Sequence, residues 1–316
     1  MGEYYRELQA FGKVRTSEPL AKHTTFKIGG LATYLVIVDS IDQLVALLQF
    51  LDGGGIPYMI LGGGSNMLAG DAGFEGVVVK VKATAHRIDG QVLVAEAGCS
   101  TVAIAQAAMR AELTGFEWGV GVPGTIGGAV RGNAGAMGGE MGDVVTKVDA
   151  YVDGEVTVMD HDACAFEYRS SAFKQGGGVV LRVYLTLRPA EDHASMKQAL
   201  DYLSYRNRTQ PQGWASTGCI FKNVLLDDEV RRTLSIHIDI PPEFIDRGIV
   251  SAGWLIDRAG MKGARAGQAQ ISETHGNFIV NLGGATAHDV HTLIDQVKQA
   301  VYDTFGVTLE EEIAIV

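Results

Sequence analysis

Three residues, far apart in a chain of 316, have side chains suited to acid–base or charge-stabilising chemistry. Arg169 sits between Tyr168 and the pair Ser170-Ser171. Cys219 lies in what reads as a polar loop, Ser216-Thr217-Gly218-Cys219-Ile220-Phe221-Lys222-Asn223. Glu312 alternates with apolar residues in the C-terminal segment Leu309–Val316. A guanidinium fixes an anion, a thiol can supply a proton, and a carboxyl group does either according to its protonation. Each residue also has an ordinary reading: a surface ion pair, a small buried thiol, a solvent-facing strand residue. Taken singly, the ordinary reading is favoured, because cysteine above all is more often a core filler than a reagent.

Two glycine-rich loops suggest what such residues would act beside. Leu61-Gly62-Gly63-Gly64-Ser65-Asn66 follows an apolar strand-like run. Three glycines remove every Cβ, so successive N–H groups can converge on an anion such as a pyrophosphate, with Ser65 and Asn66 as further donors. The alternative is a flexible turn. Further on, 11 of the 28 residues from 115 to 142 are glycine. Gly119–Gly124 matches the GxGxxG spacing, but Glu112–Trp118 is a poor strand and Pro123 with its glycines does not read as the start of an amphipathic helix, so the dinucleotide fingerprint is rejected. A wound main chain lying close to a large flat ligand fits better, and a structureless glycine lid is the competing reading.

Composition narrows the classes. There are 26 basic against 37 acidic residues, a net charge of −11. Bulk electrostatics then disfavour nucleic acid, and an anionic ligand must be held locally, by N–H groups or a few placed cations. Cys99, Cys164 and Cys219 show no paired spacing, which excludes a zinc ribbon and a disulfide framework. No Walker A, GxSxG or HExxH sequence occurs. His288 and His291 could face a metal from one helix, but a solvated face is the better reading, and no metal is expected. The N-terminus has no apolar signal region, Gly2 fails the myristoylation pattern at Arg6, and the longest apolar run, Leu44–Leu51, cannot span a membrane. A cytoplasmic location is expected.

The elements that must position these residues follow from periodicity. The segment before Thr25 reads as a short amphipathic helix and a lead-in. Tyr34–Val38 and Ile56–Leu61 read as strands around a helix opened by Ser40 and Gln43 in a capping-box pattern and closed at Gly53. Val77–Val81 and Val92–Ala97 read as strands, and Ser100–Glu112 as a helix with Val102, Ala105, Ala108 and Met109 on one face. Strands resume at Val144–Val152 and Val179–Arg188, with Tyr168–Lys174 as a loop between them. Glu191-Asp192-His193 marks a boundary before a helix ending near Thr209. Leu225–Gly248, charged and holding Pro241-Pro242, reads as an insertion or surface excursion. Ser251–Ala259 reads as a helix and Phe278–Leu282 as a strand. Thr286 and Asp289 open a helix with the stripe Val290, Leu293, Ile294, Val297 and Val301, ended by Gly306. Leu309–Val316 reads as a strand-like tail.

Together the segments resemble one family. His23–Gly30, LGGGSN, GVPGTIGGAVRGNAGAMGGE, YRSSAFK, STGCIFKN, AGWLIDRAGMKGARAGQAQISETHGNFIVN and LEEEIAIV stand in the order and approximate spacing of the UDP-N-acetylenolpyruvoylglucosamine reductases, the MurB flavoproteins of bacterial cell-wall synthesis. The resemblance implies an α+β fold with an FAD-binding domain of the vanillyl-alcohol oxidase (PCMH) type over 1–190, in lobes of about 1–82 and 83–190, a smaller α/β substrate domain over 191–303, and a C-terminal strand, 304–316, returning to the active site. It implies non-covalent FAD on Gly62, Gly63, Gly64, Ser65, Asn66, Met67, Pro123, Gly124, Thr125, Gly128, Ala129, Asn133 and Gly135. NADPH would reduce the flavin, and UDP-GlcNAc-enolpyruvate would then be reduced to UDP-N-acetylmuramate by a monomer. By the family pattern, Arg169 and a protonated Glu312 meet the charge of an enolate, Cys219 stands where the family's proton-donating serine stands, and Lys222 and Asn223 contact substrate. A thiol with an ordinary pKa of about 8.5 is mostly protonated at neutral pH, so the role is expected to survive the exchange.

Two departures stand out. Val224 follows the FKN triplet where the family has proline, and Leu225–Gly248 is longer than the pattern. The chain resembles the class without the added substrate-capping insertion. Two rival readings remain open at this level: another flavin oxidase of the same fold, and a non-catalytic nucleotide-binding protein.

Overall fold

The computed structural model describes residues 4–191 and 194–316. Met1–Glu3 and Asp192-His193, on which the Gly2 reading and part of the boundary reading fall, lie outside the described residues. The chain divides into two compact units. One comprises Met1–Glu18, Ala32–Gly63 and Phe74–Arg206; the other comprises Pro19–Leu31, Gly64–Gly73 and Asn207–Val316.

The first unit holds two sheets over one core. In the first sheet the strands run in the order Lys13–Pro19, Leu31–Val38, Phe74–Val81, Tyr58–Leu61. Leu31–Val38 and Tyr58–Leu61 both lie parallel to Phe74–Val81, and the helix Ile41–Gly53 makes the crossover between them. Its apolar spacing puts Leu44, Leu47, Leu48 and Leu51 fully inside. Ser40 accepts the Gln43 N–H at 3.2 Å, while the Gln43 side chain accepts from Asp39 N rather than from the cap residue itself. The second sheet is antiparallel throughout, ordered Glu155–Asp160, Val145–Val152, Val179–Thr186, Val92–Glu96, His86–Asp89. Glu155–Asp160 and His86–Asp89 escape the sequence reading because edge strands face water and carry few apolar residues. In the helix Thr101–Arg110 the buried face is Ile104, Ala105, Ala108 and Met109, and Val102 is only half-buried. The lead-in is largely a strand, Lys13–Pro19, after a four-residue helix Tyr5–Leu8.

The second unit has a sheet ordered Ala215–Cys219, Phe278–Asn281, Ala269–Ile271, Arg265–Ala266, all antiparallel. The helix Ala287–Phe305 buries Val290, Leu293, Ile294, Val297 and Val301, as its stripe requires, and Gly306 ends it at φ 69°. Phe26, Ile28 and Leu68 belong to this second core. Asn281 Nδ2 also donates to Phe26 O at 3.0 Å. Residues 19–31 and 64–73 therefore go with the C-terminal half, whereas the resemblance implies contiguous domains divided at 190 and 303.

Leu225–Gly248 is built rather than loose. It forms helices Asp228–His237 and Pro242–Arg247, the first capped by Asp227 and the second begun at Pro242. Leu234 is fully buried in the second core. The tail is strand only at Ala314–Ile315, which lies parallel to Met67–Leu68; Glu311 bridges Phe221 upstream of it. Among the described residues no helix is long and apolar enough to cross a membrane.

Candidate active site

In the first unit the two glycine loops touch through their main chains. A Cβ on Gly62 would meet Thr125 Oγ1 at 2.4 Å, and one on Gly63 would meet Gly124 Cα at 2.5 Å. The absence of side chains at Gly62 and Gly63 is thus what lets the loops close on each other. The Lys80 ammonium donates to Gly62 O at 2.5 Å from beneath. Lys80 was missed by the sequence reading, although a lysine interrupting the run Val77-Val78-Val79-Lys80-Val81 is a visible signal.

Past exposed Pro123 the chain does open a helix, Ile126–Arg131, against expectation. Thr125 caps it, its hydroxyl accepting Gly128 N at 3.3 Å, and this cap compensates for the poor helix-forming glycines. A Cβ on Gly128 would meet nothing nearer than Thr125 Oγ1 at 3.4 Å, so this glycine borders open space. Ala129 is buried. Asn133 is fully buried, with φ 41°. Its Nδ2 donates to Glu167 O and its Oδ1 accepts from Gly142 N, both at 2.9 Å. Its side-chain amide is therefore engaged within the protein, whereas the sequence reading assigned Asn133 to the cofactor.

That amide anchors the loop of Arg169. Glu167 and Ser170 exchange main-chain hydrogen bonds at 3.1 and 3.0 Å, leaving Tyr168 and Arg169 at the tip. Arg169 has φ 55°, a left-handed conformation costing about 1–3 kcal/mol that neighbouring contacts must sustain. The guanidinium Nη2 donates to Gly135 O at 3.0 Å, and its Cζ lies 5.1 Å from the Tyr168 ring centroid. Lys174 Nζ donates to Arg169 O at 3.0 Å. The first unit thus joins Arg169 to Gly135, and Gly62–Gly63 to Gly124–Thr125. A cavity of about 560 Å³ lies instead against Glu117, Trp118, Met137, Arg188 and Tyr202, and no residue expected from the sequence lines it.

The second unit carries the other half of the glycine loop. Gly64 has φ 66°, and a Cβ there would meet His23 O at 2.2 Å; Thr25 N donates to Gly64 O at 2.9 Å. The HTTF run is therefore a seat for this glycine. The buried Thr217 hydroxyl donates to Ser65 O at 3.1 Å and accepts Met67 N at 2.9 Å, so the Met67 N–H is spent inside the protein. Asn66 is exposed, with Nδ2 3.4 Å from Glu312 O.

Cys219 ends the strand Ala215–Cys219 rather than lying in a loop, and it is half-buried. Asn277 explains why the next residues hold their course: its side chain takes both Phe221 N at 2.9 Å and Phe221 O at 2.8 Å. The Phe221–Glu311 bridge is closed by Lys222 N to Glu310 O and Glu312 N to Ile220 O, both 2.8 Å. This register puts Glu312 opposite Ile220, next to Cys219 in the chain. Lys222 Nζ pairs with Glu310 at 3.0 Å, and Asn223 Oδ1 accepts Ala252 N at 3.1 Å. Ile220–Lys222 and Glu310–Glu312 are therefore held together at this bridge, with Cys219 the residue just before it. The other two thiols, Cys99 and Cys164, are buried, and burial pushes both up to about 11, which keeps them protonated and inert. Among the described residues no cluster suits a metal ion.

Comparison with known proteins finds two matching family models. A model of an FAD binding domain matches residues 32–160, and a model of the UDP-N-acetylenolpyruvoylglucosamine reductase C-terminal domain matches 210–316. The UDP-N-acetylenolpyruvoylglucosamine reductase of Caldanaerobacter subterraneus is 38% identical over 314 residues, covering 98% of this chain and 96% of that one. That of Bacillus subtilis is 35% identical over 309 residues, covering 96% and 94%. The crystal structure of the Thermus caldophilus reductase (MurB) superposes with a TM-score of 0.77 at 33% identity, over 96% of this chain and 99% of that one. With the two motif-bearing units and near full-length similarity in hand, the chain belongs to the UDP-N-acetylenolpyruvoylglucosamine reductase (MurB) family.

Proposed function

We propose that this protein reduces UDP-N-acetylglucosamine enolpyruvate to UDP-N-acetylmuramate, using non-covalent FAD and NADPH, in peptidoglycan precursor synthesis. Near full-length similarity to reductases of that name supports the reaction. The observation that carries the site is Arg169, whose guanidinium donates to the carbonyl of Gly135 inside the glycine-rich segment. The glycine contacts fit a dinucleotide: at Gly62 and Gly63 bare main chain is packed where a Cβ would collide with Thr125 and Gly124. Gly62–Asn66 would hold the pyrophosphate, with Met67 behind it, and Pro123–Gly135 would follow the rest of the flavin. When bound, FAD supplies hydride to the vinyl carbon of the substrate.

The chain's own residues then handle charge and proton. Negative charge builds on the substrate carboxylate and its α-carbon. Arg169 and a protonated Glu312 would meet it, each such stabiliser being worth about 3–4 kcal/mol in comparable sites. Cys219 would deliver the proton to the α-carbon. Lys222, held by Glu310, and Asn223 would bind the substrate. We read the enzyme as a cytoplasmic monomer without nucleic-acid or membrane partners.

The test is a two-step anaerobic colour experiment. The purified protein is expected to be yellow, to bleach with NADPH, and to regain its colour on addition of UDP-GlcNAc-enolpyruvate. A colourless preparation, or reduced flavin that oxygen reoxidises and the enolpyruvyl substrate does not, overturns the reading.

A further inference from the structure

Lys80 is 8% exposed in a strand otherwise made of valines at that end. Leu61 is its partner in the parallel ladder, so Lys80 lies where the neighbouring strand runs out into the glycine loop. Its ammonium donates to Gly62 O at 2.5 Å. Among the described residues no carboxylate forms an ion pair with it. A buried ammonium without a counter-charge opposes folding and calls for a reason.

The peptide joining Gly62 to Gly63 supplies one. No described peptide bond is cis. In a planar trans peptide the carbonyl and the following N–H point in opposite directions. A cation on Gly62 O therefore leaves Gly63 N–H aimed away from Lys80, and polarises it as a donor. Among the described residues Gly63 N–H donates to no protein acceptor. The loop cannot swing away easily, because Gly63 is packed on Gly124. In a chain of net charge −11, a cation delivered through a main-chain dipole answers the need for local charge at an anion site.

We propose that Lys80 is the buried counter-charge for the phosphate groups of the bound dinucleotide, acting through the Gly62–Gly63 peptide. This rests on the FAD reading above. Burial, followed by the charge of Lys82, brings the Lys80 ammonium down to about 8, within reach of mild alkali. The flanking strands add only Tyr34 and Tyr58 as titratable groups, each aligned with Val77 and so three residue pairs from Lys80. The segment Gly121–Gly128 carries no charge.

The measurement is the FAD dissociation constant of the flavin-stripped protein, by flavin fluorescence, for the unmutated chain, Lys80→Met and Lys80→Arg between pH 7 and 9.5. Affinity is expected to fall about tenfold in Lys80→Met and to stay within threefold in Lys80→Arg. In the unmutated chain it is expected to fall as pH rises past 8, since the neutral amine no longer offsets the phosphates, and this slope should vanish in Lys80→Met. A loss below threefold in Lys80→Met overturns the proposal. So does a flat pH profile of the unmutated chain, which decides the matter even if Lys80→Met does not fold. An unmutated chain that takes up no FAD at any pH would instead defeat the functional reading itself.

Discussion

Cys219 stands at the end of a strand, and Asn277 clamps Phe221 two residues further on. A thiol in place of a hydroxyl is a stronger acid but still protonated at neutral pH, which suits a donor. Cys219→Ala is expected to leave NADPH reduction of the flavin unchanged and to slow reoxidation by the enolpyruvyl substrate by about 10²–10⁴. Cys219→Ser is expected to retain much more of that second step. Rapid-mixing absorbance of the flavin separates the two half-reactions, and equal losses in both would remove Cys219 from the donor role. Asn133 teaches a complementary lesson. The resemblance implies a cofactor residue there, and in the fold its side chain, fully buried with two hydrogen bonds, is also a strut for the Arg169 loop.

At the level of elements, caps decide where helices begin. Thr286 accepts Asp289 N at 3.1 Å, and Asp289 returns the bond to Thr286 N at 3.0 Å. The Thr286 N–H and other amide hydrogen bonds hold the Asp289 carboxyl below the usual range. Asp71, more than two hundred residues earlier, adds its carboxylate to Ala287 N and His288 N at 2.8 and 3.0 Å. Anionic groups at this end also favour the helix dipole. Thr286→Ala should therefore destabilise the protein by about 1 kcal/mol, less than an uncapped helix would lose, because Asp71 remains. Urea unfolding checks this; a midpoint unchanged within error would mean that Asp71 alone suffices. The same logic explains the helix Ile126–Arg131, which glycine content argued against and a threonine cap permitted.

Across the whole molecule, burial leaves several groups reluctant to ionise. Cys99 and Cys164 are pushed up to about 11 from 9.0, chiefly by burial. Tyr58 and Tyr151 are pushed up to about 12 from 10.0 by burial and by Asp52, to which Tyr151 Oη donates at 2.7 Å. In each case the unfolded chain releases its proton first as pH rises. The stability these groups contribute is complete below pH 9 and is lost progressively between pH 9 and 12. Lys80, brought down to about 8 from 10.5, works in the opposite sense up to about pH 10.5, so the thermal midpoint should fall most clearly above it. A midpoint that does not fall between pH 10.5 and 12 would mean that the folded cysteines and tyrosines titrate like exposed ones.

Much of this architecture was legible before any coordinates, because local patterns report local causes. The stripe of Ala287–Phe305, the crossover helix Ile41–Gly53 and the caps at Ser40 and Thr286 follow from residue type and spacing over a few turns. The order of motifs from His23 to Val316 carried the family and hence the chemistry. What spacing could not carry is which distant segments share a core. Only the folded chain sends residues 19–31 and 64–73 to the C-terminal unit, turns Leu225–Gly248 into packed helices, and sets a lysine beneath a glycine loop. Those outcomes depend on burial shared between residues far apart in sequence, and burial of that kind leaves no periodic trace in the chain.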